Sequence, residues 1–285
     1  MLKFKLFTIY VFIETLICGC ATDKKREGFE IRPSEYKIER VGKMAKEEVQ
    51  ESSGLALAED NNLWTHADGG NQPLLYKINR AGELLQTVEI PYTTNLDWED
   101  LAKDDKGHIY IGDFGNNENK RRNLRIFRVN EKDVSQVDTI LFSYADQKEF
   151  PPKKSARNFD CEAFFYHKGQ LYLFSKNRGG DETVKLYKVP AQPGTYQAAV
   201  ADSIQISSMI TAADISPDGK TVALLGYGNI YLFEVNGRDN FFDGKKYCIP
   251  FEKTGQAEAL VFINNTDFVF SNEGGKIFRA TKRNK

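Results

Sequence analysis

The chain has 285 residues, 41% of them hydrophobic and 12% aromatic, enough to bury a core and too apolar for a disordered polymer. Its 39 basic and 40 acidic residues leave a formal net charge of −1, so there is no broad positive field for nucleic acid. The length admits one large all-β domain or two ordinary ones, and the internal pattern decides between them.

Lys3 and Lys5 precede an apolar run from Leu6 to Gly19 that Glu14 interrupts and that is too short to span a bilayer as a helix. It ends Ile17-Cys18-Gly19-Cys20. A small residue before Cys, with a branched aliphatic three positions ahead of it, resembles the lipobox of bacterial lipoproteins. That resemblance implies cleavage before Cys20, a diacylglycerol on its sulfur and lipid anchoring in the cell envelope, periplasmic or surface-facing. An uncleaved N-terminal anchor or a plain secretory signal is the alternative; each takes the chain out of the cytoplasm. The expected organisation is a signal over 1–19, a lipidated Cys20 with a flexible tether over 20–35, and a folded domain over 36–285. Residues 21–28 are charged and free of aromatics, which suits a tether.

The folded part carries five copies of one pattern. Each opens with a polar or acidic residue and a small apolar run, at Glu51–Ala56, Asp97–Ala102, Asp160–Phe165, Thr211–Ser216 and Gln256–Val261. A Gly/Asn/Asp turn follows, then a second strand, at Leu63–His66, Ile109–Gly112, Leu171–Phe174, Val222–Leu225 and Phe268–Ser271. A third strand alternates apolar and polar residues, as in Leu124-Arg125-Ile126-Phe127-Arg128-Val129. Fourth strands are expected near Leu85–Ile90, Thr139–Tyr144, Ala199–Ile206 and Lys246–Phe251. The fifth copy stops after its third strand, and Tyr36–Val41 is the segment available to complete it. Four-stranded units at this spacing are propeller blades, and closing the last with the N-terminal strand removes an exposed sheet edge. The fold expected is therefore an all-β, single β-propeller of five four-stranded blades. A sixth would have to come from 130–159, where Phe150-Pro151-Pro152 reads instead as a long loop. With Cys18 and Cys20 assigned to the signal, Cys161 falls on an inner strand and Cys248 on an outer one, too far apart for a bridge needing Cα atoms within about 7 Å. Two buried free thiols are expected.

Ser53-Gly54-Leu55 in the first repeat, Asp97-Trp98-Glu99-Asp100-Leu101 in the second, Asp160-Cys161-Glu162-Ala163 in the third and Gln256-Ala257-Glu258-Ala259 in the last resemble, in order, the repeat starts of SdiA-regulated (YjiK-like) propellers. These are distant kin of phytase-like and SMP-30-type propellers. The resemblance implies the propeller fold and an envelope location. In the fourth repeat Ala213 stands where the others carry a polar residue.

Adjacent strands run antiparallel, so first-strand starts and second-strand ends meet on one face of the disc. Several carboxylates then converge at one mouth of the channel, where like charges raise one another's pKa or recruit a cation. Glu99, Glu162 and Glu258, helped by Asp68 or Asp113, are expected to hold Ca²⁺ or a ligand's cationic group, because oxygen-only donors suit that ion. The alternative is that such acids accept backbone N–H bonds and tie blade to blade. Residues that differ between copies are the ligand-binding candidates: His66, Asp68, Asp113, Lys176, Arg178, Tyr227 and Glu273. Lys176 pairing with a neighbouring glutamate, and His66 as a packed strand residue, are the structural readings. His108 and His167 belong to the opposite strand ends, which argues against a three-histidine zinc site. No nucleophile or phosphate-loop motif appears. The expected function is binding of a small molecule, glycan or envelope protein at the acidic mouth through Ca²⁺. The alternative is a Ca²⁺-dependent hydrolase of phosphoesterase or lactonase type.

Overall fold

Apolar and polar alternation in each repeat resolves into four antiparallel strands whose burial falls from the centre outwards. The computed structural model describes residues 19–45, 47, 49, 51–237, 240–251 and 254–283; the apolar run ending at Cys18 lies outside them. The described residues open with helix α1 (Cys20–Glu27) and strands β1 (Glu30–Ile31) and β2 (Tyr36–Lys43). Blade 1 is β3 (Ser52–Leu57), β4 (Leu63–Ala67), β5 (Leu74–Ile78) and β6 (Leu84–Glu89). Blade 2 is β7 (Trp98–Lys103), β8 (His108–Asp113), β9 (Leu124–Asn130) and β10 (Asp133–Tyr144). Blade 3 is β11 (Cys161–His167), β12 (Gln170–Ser175), β13 (Thr183–Pro190) and β14 (Gly194–Gln205). Blade 4 is β15 (Ile210–Ile215), β16 (Thr221–Gly226), β17 (Asn229–Glu234) and β18 (Lys246–Pro250). Blade 5 is β19 (Ala257–Phe262), β20 (Phe268–Asn272) and β21 (Lys276–Lys282), completed by β2.

Five blades close the ring: β3 packs on β7, β7 on β11, β11 on β15, β15 on β19 and β19 on β3. The N-terminal strand β2 pairs antiparallel with β21 from Tyr36↔Lys282 to Lys43↔Lys276, as the truncated fifth repeat requires. Residues 145–160 form a loop with one 3₁₀ turn at Lys154–Ala156 and not a sixth blade. The outer strands β10 and β14, each 12 residues long, pair in parallel over Ile140–Tyr144, which fuses blades 2 and 3 into one sheet.

Five apolar clusters fill the five seams between blades. Aromatic edges supply much of the contact, such as Phe114 against Phe164 at 5.1 Å and Phe165 against Phe241 at 5.3 Å. Fully burying each such ring contributes about 1.5–3 kcal/mol. Polar ties add to this. Asp100 accepts the Phe164 N–H at 3.2 Å across the blade 2–3 seam, and Asp214 accepts the Phe262 N–H at 2.7 Å across the blade 4–5 seam. These two, with Asp160 accepting the Asn116 N–H at 2.7 Å, fill the blade-tying role open to strand-start acids. Asp214→Ala strands a buried N–H and is expected to cost about 2 kcal/mol in urea unfolding; a loss within error of zero would show that the tie is dispensable.

The expectation of two free thiols needs correction. Cys161 is buried and free, but Cys248 is bonded to Cys20, with Cα atoms 5.7 Å apart. Residues 20–35, which composition suggests are a flexible tether, fold back on blade 4. β1 pairs in parallel with β18 (Ile31↔Cys248), Phe29 packs edge-on to Tyr231 at 5.4 Å, and the buried Asp23 carboxylate accepts bonds from the Ser207 N–H (3.0 Å) and the Tyr231 hydroxyl (2.9 Å). The disulfide also uses the sulfur assigned to lipid, so the two modifications of Cys20 exclude one another. Among the described residues no helix is long and apolar enough to cross a membrane.

Candidate functional site at the acidic channel mouth

The starts of the inner strands and the ends of their neighbours enclose a cavity of about 540 Å³. It receives Asp68, Glu99, Glu162, Lys176, Arg178, Tyr227, Glu258 and Glu273, all named above from the sequence. His66 and Asp113 do not line it. His66 is fully buried; its Nε2 accepts the Gly54 N–H at 3.2 Å and its Nδ1 bonds the Ala67 carbonyl at 2.9 Å. Burial lowers its pKa to about 4, so it is a neutral packing residue and not a ligand. Asp113 is also fully buried, held by Arg125 at 2.7 Å and Arg121 at 3.0 Å, and it accepts the Asp97 N–H.

Two halves of the cavity differ. On the blade 3 side the charges are paired. Lys176 Nζ contacts Glu162 Oε2 and donates to the Tyr227 hydroxyl at 3.2 Å. Arg178 spans Asp160 and Glu162, the latter at 2.7 Å. Tyr227 in turn donates to Glu258 Oε1 at 3.3 Å. Burial pushes the Glu162 carboxyl up while Lys176 opposes it, and Glu162 holds Lys176 well above the usual lysine range against its own burial.

On the blade 1–2 side they are not paired. Asp68, Asp97 and Glu99 bring carboxylate oxygens within 4.8 Å of one another. Glu99 is 7% exposed, and its carboxylate has no hydrogen-bond or ion-pair partner among the described residues; only its backbone carbonyl is bonded, by Ser53 Oγ at 2.7 Å. Gly115 makes this approach possible, because a Cβ there would overlap both Glu99 Oε1 and Asp97 Oδ2. Gly69 does the same for Asp97 Oδ1. The cation group expected from the sequence is therefore redistributed. Glu99 stays, Glu162 is occupied by Lys176 and Arg178, Glu258 lies with Tyr227, and Asp68 and Asp97 are the carboxylates that close on Glu99. Asp97 was legible as a repeat-start acid and Asp68 was expected to help Glu99; that Asp97 closes the group with them was not legible.

Burial first, then Asp160 and Asp68, push Asp97 up to about 7, and burial with Glu162 pushes Glu258 up to about 8 despite Lys176. Unfolded, such groups titrate near pH 4. Between those values the folded state binds more protons, so metal-free stability falls as pH rises from about 4 to about 8 and then levels. Melting in chelator at pH 5 and pH 8 checks the sign: a higher melting temperature at pH 8 would contradict this account.

No protein-family model matches the chain, and no curated protein matches it in sequence. Solved structures do match in shape. The PQQ-bound aldose sugar dehydrogenase of Streptomyces coelicolor superposes with a TM-score of 0.55 at 10% identity, over 88% of this chain and 99% of that one. A putative gluconolactonase gives 0.52 at 10% identity over 88% and 93%. A gluconolactonase from Xanthomonas campestris gives 0.50 at 11% identity over 88% and 91%. At these identities the likeness is one of fold: this chain is a β-propeller similar in architecture to sugar dehydrogenase and gluconolactonase propellers.

Proposed function

We propose that the protein is an exported β-propeller that holds a divalent cation, Ca²⁺ by its donor chemistry, at Asp68, Asp97 and Glu99 and binds a small ligand beside it. The observation that carries this is the buried Glu99 carboxylate, without a hydrogen-bond or ion-pair partner among the described residues, lining the cavity beside two more carboxylates. Burying a charge without compensation is costly, and a hard cation with oxygen donors offsets it. When bound, the ion supplies positive charge that draws ligand oxygens. The Lys176–Glu162–Arg178 network shapes the opposite wall, and Tyr227 sets the position of Glu258. Titrating Ca²⁺ into the chelator-treated, full-length chain is expected to show a single equivalent, abolished by Glu99→Gln. No heat and no melting shift at millimolar Ca²⁺ would remove the proposal.

A second reading, a Ca²⁺-dependent hydrolase of esters, lactones or phosphoesters, is favoured by Glu258, whose carboxyl burial pushes up to about 8 in the same cavity as the cation group, as a general base requires. The fold neighbours named as gluconolactonases agree with it. Turnover of a lactone or phosphoester that disappears on chelation and in Glu258→Gln, with the fold intact, would establish it; its absence across such a panel leaves the binding reading.

The repeat-start motifs support membership of the SdiA-regulated propellers. The Cys20–Cys248 bond supports export, because such bonds persist in oxidising compartments. A lipid anchor at Cys20 belongs to a form in which Cys248 is free. The intact mass of the mature chain, with and without reductant, tells which form the cell makes.

A further inference from the structure

Successive blades line the mouth from equivalent positions, and blade 2 departs from the others. In three blades the residue just past the second strand donates its N–H to the carbonyl of the residue just before the first. Asp68 bonds Glu51 at 2.9 Å, Lys176 bonds Asp160 at 2.8 Å and Glu273 bonds Gln256 at 3.0 Å. All three side chains line the cavity. In blade 2 the same bond is made by Gly115, whose N–H meets the Asp97 carbonyl at 3.1 Å. Where three blades project a charged side chain into the mouth, blade 2 projects none.

Backbone conformation does not account for this glycine, because Gly115 lies outside the left-handed region that side chains avoid. Its surroundings do. The three atoms nearest a Cβ there are Glu99 Oε1 and the Oδ2 and Cγ of Asp97, all carboxylate ends and all in overlap. At Gly54, by contrast, the nearest atoms include the backbone of Asp100 and Leu101. The Gly115 backbone is pinned on both sides, its N–H by Asp97 and its carbonyl by Arg121, which donates to it at 2.8 Å. Asp97 is held likewise. Its N–H bonds the buried Asp113 carboxylate at 3.1 Å, and Arg121 and Arg125 fix that carboxylate. A side chain at 115 would therefore push the two carboxylates away and leave the strands in place. In the empty protein, a gap that lets like charges converge is a cost to the fold.

Resting on the cation site proposed above, we infer that Gly115 is a positioning residue for the bound ion. Its missing side chain is the gap in the ring of mouth residues into which Asp97 and Glu99 turn, so this glycine serves binding and not the fold.

Gly115→Ala in the full-length chain tests this, by calorimetric titration with Ca²⁺ and by melting in chelator and in Ca²⁺. Calcium affinity is expected to fall about a hundredfold, as when groups that orient metal ligands are removed. The melting temperature in chelator is expected to equal or exceed that of wild type, since Ala also restricts the unfolded chain. Gly54→Ala supplies the contrast: its Cβ meets backbone, so its melting temperature should drop in chelator and in Ca²⁺ alike. The inference is overturned if Gly115→Ala binds Ca²⁺ as tightly as wild type, or if it melts below wild type in chelator as Gly54→Ala does. Either outcome leaves the cation site standing where Glu99→Gln abolishes binding. Uptake of no Ca²⁺ by wild type sinks the cation site and this inference together.

Discussion

Lys176→Met is expected to destabilise the protein by about 3 kcal/mol, the lower end for breaking a buried ion pair. Lys176 is 3% exposed, and its ammonium meets the Glu162 carboxylate and the Tyr227 hydroxyl on the channel wall. Methionine matches the length of the stem and removes the charge. Glu162 then stays buried with only Arg178 facing its other oxygen, which keeps the loss from reaching the top of the range. Lys176→Met/Glu162→Gln should recover much of the loss, because neither buried charge is then left over. Urea unfolding of the three proteins at pH 7 measures this. A single variant within about 0.5 kcal/mol of wild type would mean that the wall is hydrated and the network is a surface pair in energy.

Calcium is expected to act in the opposite direction. At a hundredfold excess over its dissociation constant, an ion that binds only the folded state adds about 2.7 kcal/mol. Glu99→Gln should abolish that gain and, in chelator, leave the protein more stable than wild type. Burial and the neighbouring Glu162, Asp97 and Asp68 all push the Glu99 carboxyl well above its usual range, and an amide of the same shape carries no charge to desolvate. The pattern is diagnostic: a residue kept for binding costs stability in the empty protein. Thermal melts of both proteins with chelator and with Ca²⁺ give the four numbers needed. If Glu99→Gln destabilises in chelator, Glu99 serves the fold and not a ligand.

The geometry also separates two classes of acid that look alike in the repeats. Asp100, Asp160 and Asp214 turn to backbone N–H groups of the next blade or an adjoining loop, so their role is architectural. Asp97 and Glu99, three and one residues before Asp100 in the same short motif, face the cavity. Alternation along the strand puts Glu99 and Asp100 on opposite sides, one toward the mouth and the other into the seam.

Much of this protein was readable before any coordinates. Turn residues at fixed offsets, strands of falling apolarity and a fifth copy lacking its last strand point to a ring of five blades closed by Tyr36–Val41, because each blade can bury its faces only against its neighbours. Antiparallel pairing likewise sends the repeat-start acids and the second-strand ends to one mouth. The pairing of charges within that mouth came only with the fold. Whether Glu162 meets Lys176 or a metal, and whether Asp113 meets solvent or two arginines, turns on separations of a few ångströms across seams between segments dozens of residues apart. The same holds for Cys20 and Cys248, 228 positions apart, which meet because Asp23, Phe29 and β1 seat a charged segment against blade 4. Local periodicity encodes which face of a strand is buried; it carries no record of which distant side chain lies across the gap.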